Sequence, residues 1–503
     1  MIKGWAGKRL RIDLSLQKAW LEDIAQEDLR QWLGGRGLNA SFFSQHFQSP
    51  LSPSSPENPV AFAVGPLTGT LAPCSGWTSI ASFSPLSDPP MYGFTWMPGY
   101  FGASLKGVGV DQCILQGKAD RPIYLWIDGG DVKFVEAGHL WGKETTETAI
   151  TIQEEKEDRS IEVLCIGPAG ERQFPFANVI HRLSWTGDYL GLGYLFGVKQ
   201  LKAIAIRGKK EVTPNDPRQF LNLCLILKDR IQKDRKVHKL QQGGKLSFLS
   251  REGEKMIKDG SGWLPAGLAK QWSTFLRTYL SSREGCFSCP VNCGRNIQHH
   301  ESYFRGIHLE KAWYLGPQIG VYNGEWTLKL HHLCQSQGLD PFLTSSLLAR
   351  IMKGSEYPPL SEEDLRQTEH IEDQGEKAFV ILRRIMEGSR KEFHLPTRPV
   401  SENKHLDALA DIISFCPIVV KQLNQRTVSN MIDLIYAATG YSLSKEDLRD
   451  KVRSILQMES RLQNKGAYAN DNSPLPPRGE GQISEILRME ERNNESTAQR
   501  TTS

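Results

Sequence analysis

Residues 58–105 read NPVAFAVGPLTGTLAPCSGWTSIASFSPLSDPPMYGFTWMPGYFGASL, and Asp88 is the only charged residue among them. Gly and Pro interrupt the stretch too often for a membrane helix. Backbone this free of charge must be covered by protein or ligand, and its amides need partners. Two arrangements meet that need: a buried sheet with tight turns, or a backbone cradle around a bulky cofactor.

The surrounding sequence extends the strand reading outward. Leu10, Ile12 and Leu14 alternate with polar residues. Short β-type runs follow at 60–64, 114–115, 123–127, 132–135, 163–166 and 203–206. Asp128-Gly129-Gly130-Asp131 lies between two of these runs and reads as a hairpin turn. Helices are expected at 26–33, stopped by Gly34-Gly35, and at 144–157. Beyond Pro214 the character becomes helical. Asp216-Pro217 reads as a helix start, and Ser444 with Asp447 as a capping pair ahead of Leu448, Val452, Ile455, Leu456 and Leu462. The fold class is therefore α+β, a β-rich N-terminal domain followed by mostly α-helical domains. The expected divisions are 1–210, 211–345, 346–469 and a polar, disordered tail at 470–503.

Composition narrows the function classes. The chain has 503 residues, 39% of them apolar, and a net charge of +4. Such a chain buries a large core, and its near balance of charge argues against a surface built for nucleic acid. No apolar run is long enough for a membrane span, and the N-terminus MIKGWAGKRLRIDLS has no signal-peptide core. With nine cysteines and no export signal, a cytoplasmic location is expected and a disulfide framework is not.

The most specific local signal is Cys286-Phe-Ser-Cys289-Pro-Val-Asn-Cys293. Three thiolates at this spacing can converge on an iron–sulfur cluster or a zinc ion, either of which takes one more ligand. The candidates are Cys74, Cys113, Cys165, Cys224, Cys334, Cys416, His299 and His300. Structural zinc usually takes a second paired-cysteine knuckle, which this chain lacks.

From about Gly4 to Gly466 the chain resembles the aldehyde:ferredoxin oxidoreductases, a family of tungsten- or molybdenum-pterin enzymes. The resemblance rests on Gly34-Gly35-Arg36-Gly37-Leu38, Gly65-Pro66-Leu67-Thr68-Gly69, Ser84-Pro85-Leu86, GASLKGVG from Gly102, and Ile166-Gly167-Pro168-Ala169-Gly170-Glu171. It continues through Gly191-Leu192-Gly193, Gly197-Val198-Lys199, Leu201-Lys202-Ala203-Ile204-Ala205, the cysteine motif, EKAWYLGP from Glu310, Gly338-Leu339-Asp340 and ATGYSLSKEDL.

The resemblance implies an enzyme that oxidises an aldehyde or related oxo substrate to the acid. It passes the electrons through a [4Fe–4S] cluster to a ferredoxin-like carrier, and it also implies homodimers. Cys286, Cys289, Cys293 and Cys416 would hold the cluster, Cys416 because it ends Asp411-Ile-Ile-Ser-Phe-Cys in place of the family's D-x-x-G-L-C. Arg36, Gly37, Leu38, Ser75, Gly76, Gly191, Gly193, Lys199, Gly338, Leu339, Asp340 and Asp411 would face the bis-pterin and its magnesium. Glu310 would be the catalytic acid or base. A second implied reading is a non-catalytic relative that keeps the cluster for electron transfer or assembly.

The sequence also departs from the family. Trp77, Trp96 and Tyr189 stand where it has Arg, Asn and Arg. Arg36, Lys106, Arg182 and Lys199 are the candidates to replace the lost phosphate contacts. A long segment that carries the family's candidate catalytic His is reduced to FHLPTRPVSENKHLDALA before Asp411, and its His405 reads as a surface residue.

Overall fold

A computed structural model describes residues 3–182, 185–243, 274–275, 278–307, 309–354, 360, 362–388, 404–422 and 426–464. The expected tail at 470–503 and most of the shortened segment before Asp411 lie outside these residues.

The charge-poor stretch folds as β-sheet. Twelve strands form two six-stranded sheets. They are β1 Lys8–Asp13, β2 Lys18–Asp23, β3 Val60–Ala63, β4 Trp77–Ser84, β5 Met91–Pro98, β6 Gln112–Gln116, β7 Ile123–Asp128, β8 Asp131–Glu136, β9 Glu162–Ile166, β10 Val179–His181, β11 Trp185–Thr186 and β12 Leu201–Arg207. The first sheet runs β2-β1-β6-β3-β4-β5, with β1 parallel to β6 and its other pairs antiparallel. The second runs β11-β10-β9-β12-β7-β8, with β7 and β12 parallel.

Every residue of β3 and β4 is buried, which explains the missing charge: both faces of this part of the sheet are covered. One face carries Leu10, Ile12, Val60, Phe62 and Ile80 and packs into the core shared with the second sheet. The other carries Trp77, Ala81, Phe83 and Tyr92 and packs against helices from both ends of the chain.

The hairpin at 128–131 joins β7 to β8, pairing Asp128 with Asp131. The helix expected at 144–157 spans Thr145–Glu155, and that at 26–33 spans Gln26–Trp32. Gly34-Gly35 ends that helix, but it also opens a second one, Gly35–His46, which the sequence reading missed. Gly35 has φ +44°, and a Cβ there would lie 2.1 Å from the Asp411 carbonyl oxygen. The glycine pair is thus a tight pass between distant segments as well as a stop.

The C-terminal half is helical. Asp216 caps the helix Pro217–Lys233 by accepting from the Gln219 amide, and the Ser444 hydroxyl and Asp447 carboxylate make the capping contacts of Lys445–Asn464. Helices Gly35–His46, Lys404–Ile412, Arg426–Thr439 and Lys445–Asn464 close over the first sheet. A three-stranded antiparallel sheet, β13 Leu280–Glu284, β14 Gly294–His299 and β15 Ser302–Ile307, carries the cysteine loop.

Candidate cysteine cluster site

The loop 285–293 is pinched at its base, where β13 and β14 pair Glu284 with Gly294. Its path needs two residues at positive φ, Ser288 at 53° and Asn292 at 47°. These turns fold the loop back so that Cys286, Cys289 and Cys293 sit together, each half-buried.

Two other segments are fastened to this loop through backbone hydrogen bonds. The Cys74 amide donates to the Ser288 carbonyl at 3.0 Å, and the Cys416 amide donates to the Cys74 carbonyl at 2.9 Å. The Phe287 amide donates to the Gly99 carbonyl at 3.0 Å. Close packing brings the C-terminal segment in, because Gly65 meets the Ile413 backbone and its amide donates to the Ser414 hydroxyl oxygen at 2.7 Å.

Five thiols therefore share one site. Cys74 and Cys416 are 1% and 7% exposed and form its inner wall, while Cys286, Cys289 and Cys293 form its outer one. The Cys74 Sγ lies 3.9 Å from the Cys289 Sγ. That contact holds the Cys289 thiol down at about 7, and it acts with burial to push Cys74 well up. Burial first, then the neighbouring thiols, raises Cys286 and Cys416. Among the described residues no three His, Cys, Asp or Glu side chains close on the single point that one bound ion needs. A thiol-only donor set that binds on several irons, one cysteine to each, suits a [4Fe–4S] cluster.

Cys74 is one of the fourth-ligand candidates in the sequence and Cys416 is the one the family resemblance implies; the structure brings in both. Cys113 and Cys165 are buried in β6 and β9, and Cys334 in the helix Gly324–Gln337. Cys224 lies beside the site without joining the five. His299 and His300 meet edge to face, as do His299 and Tyr279.

The remaining candidates fall into separate groups. Gly76 touches the cysteine loop, since a Cβ there would meet the Phe287 amide at 2.8 Å. Ser75 is buried and donates its hydroxyl to the Ala72 carbonyl. Leu38 is core, and Gly37 lets its helix approach the Trp32 carbonyl. Asp411 accepts from the Ser79 hydroxyl at 3.3 Å. Residues 338–340 dock on a different loop: the Gly338 carbonyl accepts from Asn178, and Leu339 bridges to Ala177. Asp340 caps the helix Pro341–Met352 while also accepting from the Tyr189 amide at 2.8 Å. Gly191 and Gly193 pack against Pro85 and the Asn178 backbone in this same region. Glu310 lies in the helix Leu309–Tyr314, and its side chain is outside the described ones.

The four proposed replacement cations are engaged within the protein. Arg36 forms a two-pronged ion pair with Glu459 and stacks 3.5 Å from the Phe94 ring centroid. Lys106 pairs with Asp111, Arg182 with Glu162, and the Lys199 Nζ donates to the carbonyls of Pro56 and Gly117. Trp77, Phe94 and Trp96 line the β4–β5 face beside Arg36. On that face the Trp77 indole N–H and the Tyr92 hydroxyl are buried with no hydrogen-bond partner among the described residues. These residues fit a thiolate-bound cluster. The four cations, each already committed to a partner within the protein, do not fit the task of holding two pterin phosphates, a task backbone amides are also able to perform.

The fold and the cysteine site together describe a chain whose distant segments bring five thiols to one place. The fold is similar to that of the active site complex BamBC of benzoyl coenzyme A reductase, solved with 1,5-dienoyl-CoA: the TM-score is 0.77 at 18% identity, covering 96% of this chain and 94% of that one. The family follows from sequence. Residues 9–208 match the aldehyde ferredoxin oxidoreductase N-terminal domain, and residues 264–394 match domains 2 and 3 of the same family. This chain belongs to the aldehyde ferredoxin oxidoreductase family.

It is 32% identical to the tungsten-containing aldehyde ferredoxin oxidoreductase of Pyrococcus furiosus over 73% of its length, and 25% identical to the aliphatic sulfonate oxidoreductase WOR-like subunit of that organism over 75%. The matched regions cover 61% and 63% of those proteins, so the chain spans about three fifths of the length of these relatives. No helix among the described residues is long and apolar enough to cross a membrane.

Proposed function

We propose that this chain is an oxidoreductase of the aldehyde ferredoxin oxidoreductase kind. It takes an electron pair from an aldehyde-type substrate as the substrate becomes an acid, and it releases the electrons singly through a [4Fe–4S] cluster to a ferredoxin-like acceptor. The observation that carries this reading is the convergence of Cys286, Cys289, Cys293 and Cys416, with Cys74 beside them, on one enclosed site. Cysteine thiolates hold such clusters, and hydrogen bonds to sulfur together with burial set their potential. A pterin-bound tungsten or molybdenum would supply the two-electron acceptor. Membership of a family whose relatives are named as tungsten-containing supports that part.

The protein's own share is physical. It encloses Cys74 and Cys416 away from water and leaves Cys286 and Cys289 toward the surface, so electrons have a buried entrance and an exposed exit. Glu310 is the proposed acid or base near the carbonyl.

Elemental analysis of anaerobically purified protein tests the reading. Brown protein with about four irons per chain, matching sulfide, and tungsten or molybdenum approaching one per chain is expected. Iron with neither heavier metal overturns the substrate half. Colourless zinc protein overturns the whole.

A further inference from the structure

We propose that the cavity beside the cysteine loop seats a small acidic one-electron carrier protein, on a surface formed by the helix Pro217–Lys233 and the loop itself. This rests on the cluster reading above, since a carrier docks only where there are electrons to collect.

The cavity has a volume of about 480 Å³. Cys286 and Cys289 line one side of it, and Leu221, Leu225 and Lys228 the other. It is therefore the side on which ligand sulfurs reach the surface, Cys74 and Cys416 being closed inside. Around it stand three large apolar side chains in the open: Leu71 is 66% exposed, Leu225 57% and Leu221 45%. Water-facing leucines gathered at one cavity mark a binding surface, whereas single scattered ones do not.

The stripe has helical spacing. Leu221, Leu225 and Lys228 are four and then three residues apart, and Arg218 extends the same face one turn toward the start of the helix. The charge is one-sided. The span 217–243, made of the helices Pro217–Lys233 and Arg235–Gly243 and the Asp234 between them, carries seven lysine and arginine residues, all exposed, against two aspartates. One of those aspartates, Asp229, is paired with Lys233 at 2.8 Å. For a chain whose net charge is +4, this is a concentration of positive potential at the mouth of the cluster site.

An apolar centre ringed by lysine and arginine suits a partner with an apolar contact point and an acidic rim. Such a field raises the encounter rate with acidic proteins and repels basic ones, and salt screens it. Interfaces of this kind are small and transient, as repeated single-electron delivery requires.

The test uses the full chain with its cluster, purified anaerobically, reduced with dithionite and desalted. Stopped flow measures electron transfer to an oxidised acidic bacterial ferredoxin and, in parallel, to benzoquinone, which is small and neutral. The ferredoxin rate should fall roughly tenfold between low and moderate salt while the quinone rate does not. Leu225→Asp and Lys228→Glu should each slow ferredoxin reduction at low salt by roughly tenfold and leave quinone reduction unchanged, which also shows that the variants are folded. Ferredoxin rates insensitive to salt and to both variants overturn the inference alone. So does a dimer of this chain that Leu225→Asp dissociates while the ferredoxin rate stays the same. Protein isolated without iron overturns the cluster reading and this inference with it.

Discussion

The Cys74 Sγ lies 3.9 Å from the Cys289 Sγ, and the two residues are 215 positions apart in sequence. Cys74 is held there by its own backbone, which donates to Ser288 and accepts from Cys416, and it occupies the left-handed region at φ 64°. With Cys289 bound to the cluster as a thiolate, Cys74, outside the four cysteines assigned to the cluster, would be the S–H donor to its sulfur. Hydrogen bonds to cluster sulfurs stabilise the more negative, reduced state. Cys74→Ala should therefore keep about four irons per chain and lower the cluster's reduction potential. The expected change is on the order of 40 mV, equivalent to about 1 kcal/mol for one electron. A redox titration followed by electron paramagnetic resonance measures it. An unchanged potential would remove Cys74 from the electronics of the site.

Cys416 is the second inner thiol, and its test is retention of iron. The hydrogen bond from its amide to the Cys74 carbonyl does not depend on the side chain, so Cys416→Ser should fold as the parent does. The variant should lose most of its iron on gel filtration while circular dichroism stays the same. Full iron content in Cys416→Ser, lost only when Cys74→Ser is added, would make Cys74 the fourth ligand.

Much of the chemistry was legible because it is local. The spacing from Cys286 to Cys293 folds back through short-range turns, the 128–131 hairpin is a matter of four residues, and Asp216 and Ser444 cap helices within three positions. What could not be read depends on contacts across the chain. Gly34-Gly35 is a correct stop signal, but the helix that restarts at Gly35 passes against the Asp411 backbone, a contact nothing local in the sequence announces. Cys74 was one of six cysteines with nothing to single it out, since its position is set by backbone bonds to Ser288 and Cys416. Arg36 read as a ligand for phosphate, and nothing near it in sequence announced Glu459, which is 423 residues away.

The Arg36–Glu459 pair is itself testable. Both side chains are nearly inaccessible, at 5% and 3% exposure, and the guanidinium lies over Phe94. Removing one partner of such a pair leaves the other charge buried and uncompensated, at a cost of about 3–5 kcal/mol. Glu459→Gln should therefore lower the urea midpoint markedly. The double change Arg36→Met with Glu459→Leu should restore most of the loss, because apolar groups of similar volume avoid the desolvation penalty. If Glu459→Gln were neutral, Arg36 would be free to serve another anion.

Lys199 gives the last prediction, through pH. Burial drives its amine down to about 7 from an ordinary value near 10.5, against the opposing pull of Glu57 and Asp13, and among the described residues the Pro56 and Gly117 carbonyls accept from it. Below pH 7 the folded chain has to bury a charged ammonium, while the unfolded chain keeps the same charge in water. As pH rises from about 7 to about 10.5 the folded amine gives up its proton first, and the unfolded state then binds more protons than the folded one. Folding stability must gain from this residue across that window, by at most about 1.4 kcal/mol per pH unit for one proton. Lys199→Met removes the term, so denaturant midpoints measured every half unit should show a shallower rise than the parent between pH 7 and 10. The largest gain in stability from the substitution should appear at the low end. Parallel curves for the two proteins would mean that the ammonium keeps its proton, held by those two carbonyls, and would return Lys199 to the set of cations able to meet an anionic group.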